Sequence, residues 1–186
     1  MRNGSTGSSG GARIGASPVS FRLCKITLVA CSSFFLLLVV FNNLADYDSN
    51  YQFVRHVLSM DDTFKGNSGM WRALPGRFAH HLFYDFIILW EAVSAVLIGA
   101  GTWRLWVARR APALEWQEAK GLAAAGLTVS LVQWFAMFIT VGGEWFLMWQ
   151  SKAWNGQDAA LRMFAIMGIC LVFLCQRDGE LAGGGS

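Results

Sequence analysis

The sequence predicts an all-α membrane protein, a four-transmembrane-helix bundle with a short amphipathic helix in its first outer loop. Hydrophobic residues make up 54% of the 186 residues and charged residues 15%, whereas soluble domains average roughly 25% charged residues. The apolar residues form four long runs, and the charged residues lie almost wholly between them. A helix of roughly 20 such residues crosses a bilayer core. Helices are predicted rather than strands because a lipid-facing open strand leaves its backbone groups unpaired.

The first predicted span covers residues 21–41, and residues 26–41 carry no charge. A cleaved signal peptide is the competing interpretation of an N-terminal apolar run. This run is followed by Asn42, Asn43 and Leu44, which do not provide the small-x-small pattern of a cleavage site. We therefore predict a retained helix. Residues 1–20 before it are rich in Gly and Ser without an apolar period, which predicts a disordered segment.

Three further spans are predicted, at residues 81–103, 121–143 and 159–176. The span 121–143 is free of charge, whereas Arg162 lies in the first turn of the last span. The predicted transmembrane domain therefore covers residues 21–176, and residues 177–186 form a C-terminal tail.

The distribution of Lys and Arg predicts the orientation of the bundle, because basic residues accumulate on the cytoplasmic side. The densest basic clusters lie at the N-terminal side of the first span, including its first turn, and between the second and third spans: Arg2, Arg13, Arg22, Lys25, Arg104, Arg109, Arg110 and Lys120. Both termini are therefore predicted to be cytoplasmic. The loops 42–80 and 144–158 then lie on the outer side.

The first outer loop contains a predicted amphipathic helix at residues 51–60. Capping residues precede it, and apolar residues recur within it at helical spacing: Asp48, Ser49, Asn50, Phe53, Val54, Val57 and Leu58. A helix of this kind lies on the membrane surface with its apolar face buried.

The two outer loops are predicted to pack on each other as a cap, with the helix 51–60 lying across the mouth of the bundle. Trp145 or Trp149 should be buried there, and a carboxylate should pair with Arg55, Arg72 or His56. The alternative for these tryptophans is an aromatic belt at headgroup level. The candidate interaction surface comprises Asn42, Asn43, Asp46, Tyr47, His56, Asp61, Trp71, Arg72, Glu144, Trp145, Trp149, Gln150, Trp154 and Asn155.

A second candidate site lies inside the membrane, because ionisable residues at this depth are costly and mark function by default. Asp85 and Glu91 belong to the second span. Counting residues from the helix ends places Gln133 level with Glu91, and Arg162 near Asp85. We predict a hydrogen bond between Glu91 and Gln133. The depths of Asp85 and Arg162 allow an ion pair, and Trp90 completes the candidate group around Glu91. Structural pairing of helices and a ligand or proton site both remain open for this group.

No motif indicates catalysis. The sequence contains no phosphate-binding loop and no zinc signature, and no basic stripe with interleaved aromatics that would indicate nucleic-acid binding. The histidines are His56, His80 and His81, so the other three spans offer no axial ligand for a haem. We predict no metal site, no cofactor and no enzymatic activity.

Three segments carry a resemblance to a known family: NNLADYDSNYQFVRHVLSMDDTF, MWRA and GGEWFLMWQSKAWNGQ. They resemble an uncharacterised bacterial family that is described only as predicted small integral membrane proteins, a domain of unknown function. The resemblance covers about residues 22–176. It implies the fold and a location in the bacterial cytoplasmic membrane, and it implies no particular reaction.

These observations predict a non-enzymatic, multi-pass protein of the inner membrane. The favoured function is an accessory or assembly subunit that contacts a larger membrane complex through its helices and outer loops. Its partners would be the lipid bilayer and another membrane protein. The alternative is a module that handles a small molecule around Glu91, either a transporter or a quinone- or haem-binding redox component.

Overall fold

The computed structural model describes residues 18–178. The predicted disordered segment up to residue 17 and the predicted tail from residue 179 lie outside these residues. Residues 18–20, the last three of the predicted disordered segment, instead belong to the first helix. The described chain forms five helices, namely α1 (Pro18–Ala45), α2 (Tyr47–Ser59), α3 (Arg77–Val107), α4 (Ala113–Val132) and α5 (Gln157–Cys175). A π-helix, Gln133–Trp145, continues α4 without a break.

Four of these segments are long and apolar enough to cross a membrane: Val19–Ala45, Arg77–Arg110, Ala113–Trp145 and Gln157–Cys175. At most 33% of the most apolar window of each is buried within the protein. The remaining apolar surface faces outward, as expected for helices that contact lipid. The predicted all-α fold with four membrane-spanning helices is confirmed, and no strand occurs between residues 18 and 178.

Helix α3 lies between α1 and α4, and the three helices approach closely at small residues. A Cβ atom on Gly101 would overlap the backbone of Ala123, and one on Gly126 would lie 2.7 Å from the backbone nitrogen of Ile98. Ser33 Oγ also donates a hydrogen bond to the Ala95 carbonyl, at 2.9 Å. Small residues at such contacts let membrane helices pack backbone to backbone.

The bundle has two different ends. The terminal end contains the start of α1, the α3–α4 connection and the end of α5. The capped end carries α2 and the loops 60–76 and 146–156. A separate apolar core fills each half: the first includes Leu36, Leu105, Trp116 and Met167, and the second includes Tyr51, Leu58, Tyr84, Phe146 and Met148.

Helix α3 is long enough to carry the capped end beyond the hydrocarbon layer. Its 31 residues span about 46 Å at 1.5 Å per residue, against a bilayer core of about 30 Å. Helix α2 packs against the first turns of α3 and buries Tyr51, Val54, Val57 and Leu58. The predicted amphipathic helix is therefore present, and it begins four residues earlier than predicted.

The two loops of the capped end pack on each other, as predicted. Gln150 Oε1 accepts a hydrogen bond from the Phe64 backbone N–H at 3.1 Å, and Ser151 Oγ donates one to Asp62. The ring of His56 stacks on Trp154 with 4.3 Å between centroids. The Ser151 hydroxyl and the Ala153 N–H hold the pKa of Asp62 below its usual value, so this loop contact persists at neutral pH.

The predicted burial of Trp145 or Trp149 is wrong, since these side chains are 48% and 46% exposed. Leu147, which lies between them, has a left-handed backbone with φ 55°. This conformation interrupts the helix, so Trp145 and Trp149 do not share its buried face. Phe146 and Met148 enter the core instead.

Candidate functional site

A hydrogen-bonded chain of polar side chains joins α3, α1 and α2 at the capped end. Glu91 in α3 is 2% exposed, and its Oε2 accepts a hydrogen bond from Asn43 Nδ2 at 2.7 Å. Asn43 Oδ1 in turn accepts one from Asn50 Nδ2, also at 2.7 Å. The side chains of Asn43 and Asn50 are both neutral amides. A buried carboxylate is therefore held in place by groups that do not balance its charge.

This polar chain forms part of the wall of a cavity of about 260 Å³ beneath α2. Asn43, Asn50 and Glu91 provide the polar part of the wall. The cavity reaches the surface between α2 and the first turn of α5, where Asn50 and Ala159 are exposed.

Aromatic side chains provide much of the remaining wall, namely Phe53, Tyr84, Trp134 and Phe138. Trp134 is 8% exposed, and its indole Nε1 is buried without a hydrogen-bond partner. The Tyr84 hydroxyl is engaged, since it donates to the Asn43 carbonyl at 3.4 Å. The wall therefore combines a carboxylate, amides and aromatic rings.

The π-helix supplies Gln133, Trp134 and Phe138 to this region. Thr140 Oγ1 donates to the carbonyl of Phe135, five residues earlier, at 3.0 Å. π-helices are rare, usually extend over a single turn and occur frequently at functional sites. This one extends over 13 residues and changes the direction in which successive side chains project.

The structure corrects the two predicted intramembrane pairs. Gln133 is buried, but its Nε2 donates to the Ile87 carbonyl at 3.2 Å, while Glu91 is bonded to Asn43. Asp85 accepts a hydrogen bond from the Tyr47 hydroxyl at 2.8 Å, and residues 18–178 contain no ion pair between Asp85 and Arg162. Neither predicted pair forms, because α1 supplies the hydrogen-bond partner of Glu91 and α2 supplies that of Asp85.

Trp90, the remaining member of the predicted intramembrane group, lies between α3 and α4. Its Nε1 donates to the Val129 carbonyl at 3.0 Å. The indole therefore links two helices and is not part of the cavity wall.

A second polar cluster lies between α2 and the first turns of α3. The Tyr47 hydroxyl is 3.0 Å from His81 Nδ1 as well as bonded to Asp85, and the ring of His81 stacks on Tyr51 at 4.2 Å. Burial, followed by the hydrogen bond and the charge of Asp85, raises the pKa of Tyr47 well above its usual value. The cluster fastens α2 to α3.

The predicted interaction surface divides into three groups. His56 pairs with Asp61, with 2.9 Å between Nδ1 and a carboxylate oxygen, which confirms the predicted carboxylate pairing. Arg72, Glu144, Gln150 and Trp154 make contacts between the two loops. The rest of the surface remains exposed, apart from Asn43 and the half-buried Tyr47, and comprises Asn42, Asp46, Trp71, Trp145, Trp149 and Asn155.

Asn43 and Asn50 are the functional candidates that sequence reasoning misplaced or missed. Asn43 was assigned to the outer surface but is 6% exposed and points to Glu91, and Asn50 was assigned only to helix capping. The available signal was the pair Asn42–Asn43 directly after an apolar run. Adjacent residues of an α-helix point about 100° apart, so one of the two amides can face the bundle while the other faces water.

The terminal end contains another buried network. Asp178 accepts hydrogen bonds from Lys25 Nζ at 2.8 Å, from Trp116 Nε1 at 2.7 Å and from Lys120. Arg22 NH1 donates to the Ala111 carbonyl at 2.6 Å. Burial would raise the pKa of Asp178, but the two lysines and the indole hold it below its usual value. Sequence reasoning used these basic residues only to predict orientation.

No group of three or more His, Cys, Asp or Glu in the described part of the chain has the arrangement of a metal site. Comparisons with curated proteins and with solved structures give no match. A family model does match, over residues 21–177, which is most of the chain. The chain therefore belongs to the family of predicted small integral membrane proteins (DUF2165).

Proposed function

We propose that this chain is a membrane-embedded binding protein for a small amphiphilic molecule, which it holds in the cavity beside Glu91. The observation that carries the proposal is a buried carboxylate with a neutral partner, Asn43, at the wall of an accessible cavity. A carboxylate that only joined helices would need a closely packed site with its hydrogen bonds satisfied. Glu91 instead borders about 260 Å³ of space.

The composition of the cavity suits a small ligand, and its volume of about 260 Å³ lies just below the usual range of ligand pockets. Ligand pockets have volumes of roughly 300–1,000 Å³ and combine apolar walls with a few polar groups that orient the ligand. Here the polar groups are the Glu91 carboxylate and the two asparagine amides. The proposal involves binding and no reaction.

Apolar surface for the hydrocarbon part of the ligand lies next to the polar wall of the cavity. A shallow apolar cleft lined by Met137, Val141 and Phe146 adjoins the cavity, and both spaces share Phe53 and Phe138 in their walls. A molecule with a polar head and a hydrocarbon body would therefore place its head beside Glu91 and its first apolar carbons against this cleft. This combination favours an amphiphile over a small hydrophilic solute.

The experiment compares binding of three eight-carbon amphiphiles that differ only in their head group: octylammonium, octanol and octanoate. The full chain is reconstituted in phosphatidylcholine nanodiscs, and binding is measured by saturation-transfer NMR. We expect saturable binding of at least one amphiphile and its loss in Ala159→Trp, because the indole fills the mouth of the cavity.

The matched control is Leu161→Trp, which adds the same ring to the same helix at a lipid-facing position that is 57% exposed and outside the cavity wall. Binding should be retained in this variant. Equal binding by the wild type and Ala159→Trp, or no saturable binding at all, would contradict the proposal.

The accessory-subunit function is the second candidate, and a group of exposed aromatic side chains on the capped end favours it. Trp71 is 76% exposed and contacts the edge of Trp145, and Phe64 is 59% exposed and contacts the edge of Trp149. Exposed apolar patches of this kind mark interaction sites. An aromatic belt at the lipid interface is the competing explanation.

Co-purification in mild detergent separates these two explanations. If the patch binds another membrane protein, Trp71→Ala should reduce recovery of a defined partner at least several-fold. Trp103→Ala should not, because Trp103 is 67% exposed but lies near the terminal end. Equal recovery with both variants would assign these tryptophans to the lipid interface.

We also propose that the protein lies in a bacterial inner membrane with both termini in the cytoplasm. The support is the basic cluster around Arg104 and Lys120 between α3 and α4. Reporter fusions at Ala113 and at the C-terminus should give cytoplasmic signals, and fusions at Gly69 and Lys152 should give exported signals. An exported signal at Ala113 would invert the orientation.

A further inference from the structure

We infer that the ligand of the Glu91 cavity is a cation, namely a protonated amine that carries an apolar substituent. The inference rests on the proposed binding function and names the class of its ligand. Three features of the cavity support it: the charge of its wall, the rings in that wall and the absence of a competing basic group there.

The cavity wall contains an acidic side chain and no basic one among the described residues. Glu91 is the only charged residue among the described residues that line the cavity, and its hydrogen bond comes from the neutral amide of Asn43. An isolated carboxylate in an apolar environment is very costly unless it is paired. An ammonium group in the cavity would supply the missing counter-charge and up to three N–H donors.

The rings in the wall favour a cation as well. Phe53, Tyr84, Trp134 and Phe138 all line the cavity, and the faces of aromatic rings attract cations, with Trp the strongest. An aromatic wall beside a single carboxylate is an arrangement that binds alkylammonium groups. An anionic head group would be repelled by Glu91 and would gain nothing from the rings.

No basic side chain occurs among the residues between 18 and 178 that line the cavity, although the bundle buries several elsewhere. Arg22, Lys25 and Lys120 are at most 5% exposed, and all three lie at the terminal end. They are hydrogen-bonded to Asp178 or to backbone carbonyls there. They therefore do not supply the counter-charge for Glu91, and that position is left to a ligand.

The test measures the affinities of octylammonium and octanol for the full chain in phosphatidylcholine nanodiscs at pH 7. Phosphatidylcholine carries no net charge, so the lipid does not concentrate the ammonium. The matched variant is Glu91→Gln, whose side-chain oxygen still accepts the hydrogen bond from Asn43. We expect octylammonium to bind at least about tenfold more tightly than octanol. This ratio corresponds to about 1.4 kcal/mol, close to the lower limit for a hydrogen bond to a charged group.

In Glu91→Gln, the roughly tenfold preference for octylammonium over octanol should be lost, because the neutral amide supplies no counter-charge. If octanol binds as tightly as octylammonium in the wild type, or if Glu91→Gln retains the preference, the cation inference is wrong. The proposed binding function would stand in that case, provided that Ala159→Trp abolishes binding. If none of the amphiphiles binds, both proposals fail.

A second variant keeps the inference testable if Glu91→Gln does not fold. Trp134→Leu removes the ring with the strongest affinity for cations and retains an apolar side chain. It should weaken octylammonium binding several-fold more than octanol binding. Equal weakening of the two ligands would contradict the inference.

Discussion

Each end of the bundle buries a carboxylate, and the two carboxylates differ in the number and charge of their hydrogen-bond donors. Asp178 at the terminal end receives hydrogen bonds from Lys25, Lys120 and Trp116. Glu91 near the capped end receives one from Asn43 and borders a cavity. A carboxylate that is saturated with donors and surrounded by side chains stabilises the fold. A carboxylate with one neutral donor and adjacent space retains the capacity to bind a ligand.

The terminal network is expected to give the largest effect on stability. Asp178→Asn leaves Lys25 and Lys120 buried without a counter-charge, and breaking a buried pair in this way typically costs about 3–5 kcal/mol. Equilibrium unfolding in detergent micelles would measure the loss. Asp158→Asn is the control, since Asp158 is exposed at the start of α5. Similar stabilities of the two variants would show that the network is not structural.

The free energy of unfolding that Asp178 contributes should change with pH in a defined direction. The folded-state pKa of Asp178 is lowered, so its stabilisation is complete above the unfolded pKa of about 3.9. The stabilisation is lost as the pH falls through the folded pKa. The stability difference between the wild type and Asp178→Asn should therefore be constant from pH 7 to about pH 4 and should decrease below it. A difference that decreases already between pH 7 and pH 5 would contradict this assignment.

A variant at the contact between α3 and α4 tests whether the two helices are packed rigidly below the cavity. Gly101→Ala places a methyl group against the Ala123 backbone, and overpacking of this kind costs about 1–3 kcal/mol. Gly121→Ala is the matched control in α4, where nothing lies within 4 Å of the added atom. The control should be neutral or slightly stabilising. Equal effects on the unfolding free energy would indicate that the two helices separate easily.

The hydrogen bond of Glu91 should contribute far less than the network of Asp178. In a double-mutant cycle with Asn43→Ala and Glu91→Ala, we expect a coupling energy of about 0.6 kcal/mol, the average for hydrogen bonds between membrane helices. The unfolding free energies of the four proteins provide this value. A coupling above about 2 kcal/mol would place Glu91 with Asp178 among the structural carboxylates.

The smallest effect on stability is expected at the exposed aromatics of the capped end. Trp71→Ala should change the unfolding free energy by no more than about 0.5 kcal/mol, because exposed side chains away from special features rarely contribute more. Trp116→Ala is the buried comparison, since Trp116 is 0% exposed. It should cost about 3–5 kcal/mol. A large loss in Trp71→Ala would assign Trp71 to the fold rather than to an interaction surface.

The fold was predictable because its signals are local. Four apolar runs of sufficient length specify four spans, and the spacing of Val54, Val57 and Leu58 specifies α2. The burial of Trp145 or Trp149 was predicted wrongly because that inference assumed a continuous helix. The left-handed backbone at Leu147 has no sequence signal, since Leu rarely adopts this conformation.

The site was less predictable because it depends on the relative lengths of the helices. Depth counting assumed that every span ends at the same level, and it therefore paired Glu91 with Gln133. In the structure α3 extends beyond the end of α1, so the last turns of α1 bring Asn43 to Glu91. The π-helix adds a second difficulty, because it changes the side-chain periodicity on which the prediction of faces depends.

The position of the cavity mouth determines how a ligand would be supplied. The mouth lies between α2 and the first turn of α5, so under the proposed function a ligand would enter from the lipid headgroup layer. The governing concentration is then the mole fraction of the ligand in the bilayer. Each added methylene contributes about 0.8 kcal/mol to partitioning, so it would raise an affinity expressed per volume of water about fourfold without any new protein contact. Ligands of different chain length are therefore ranked correctly only when their affinities are expressed per lipid.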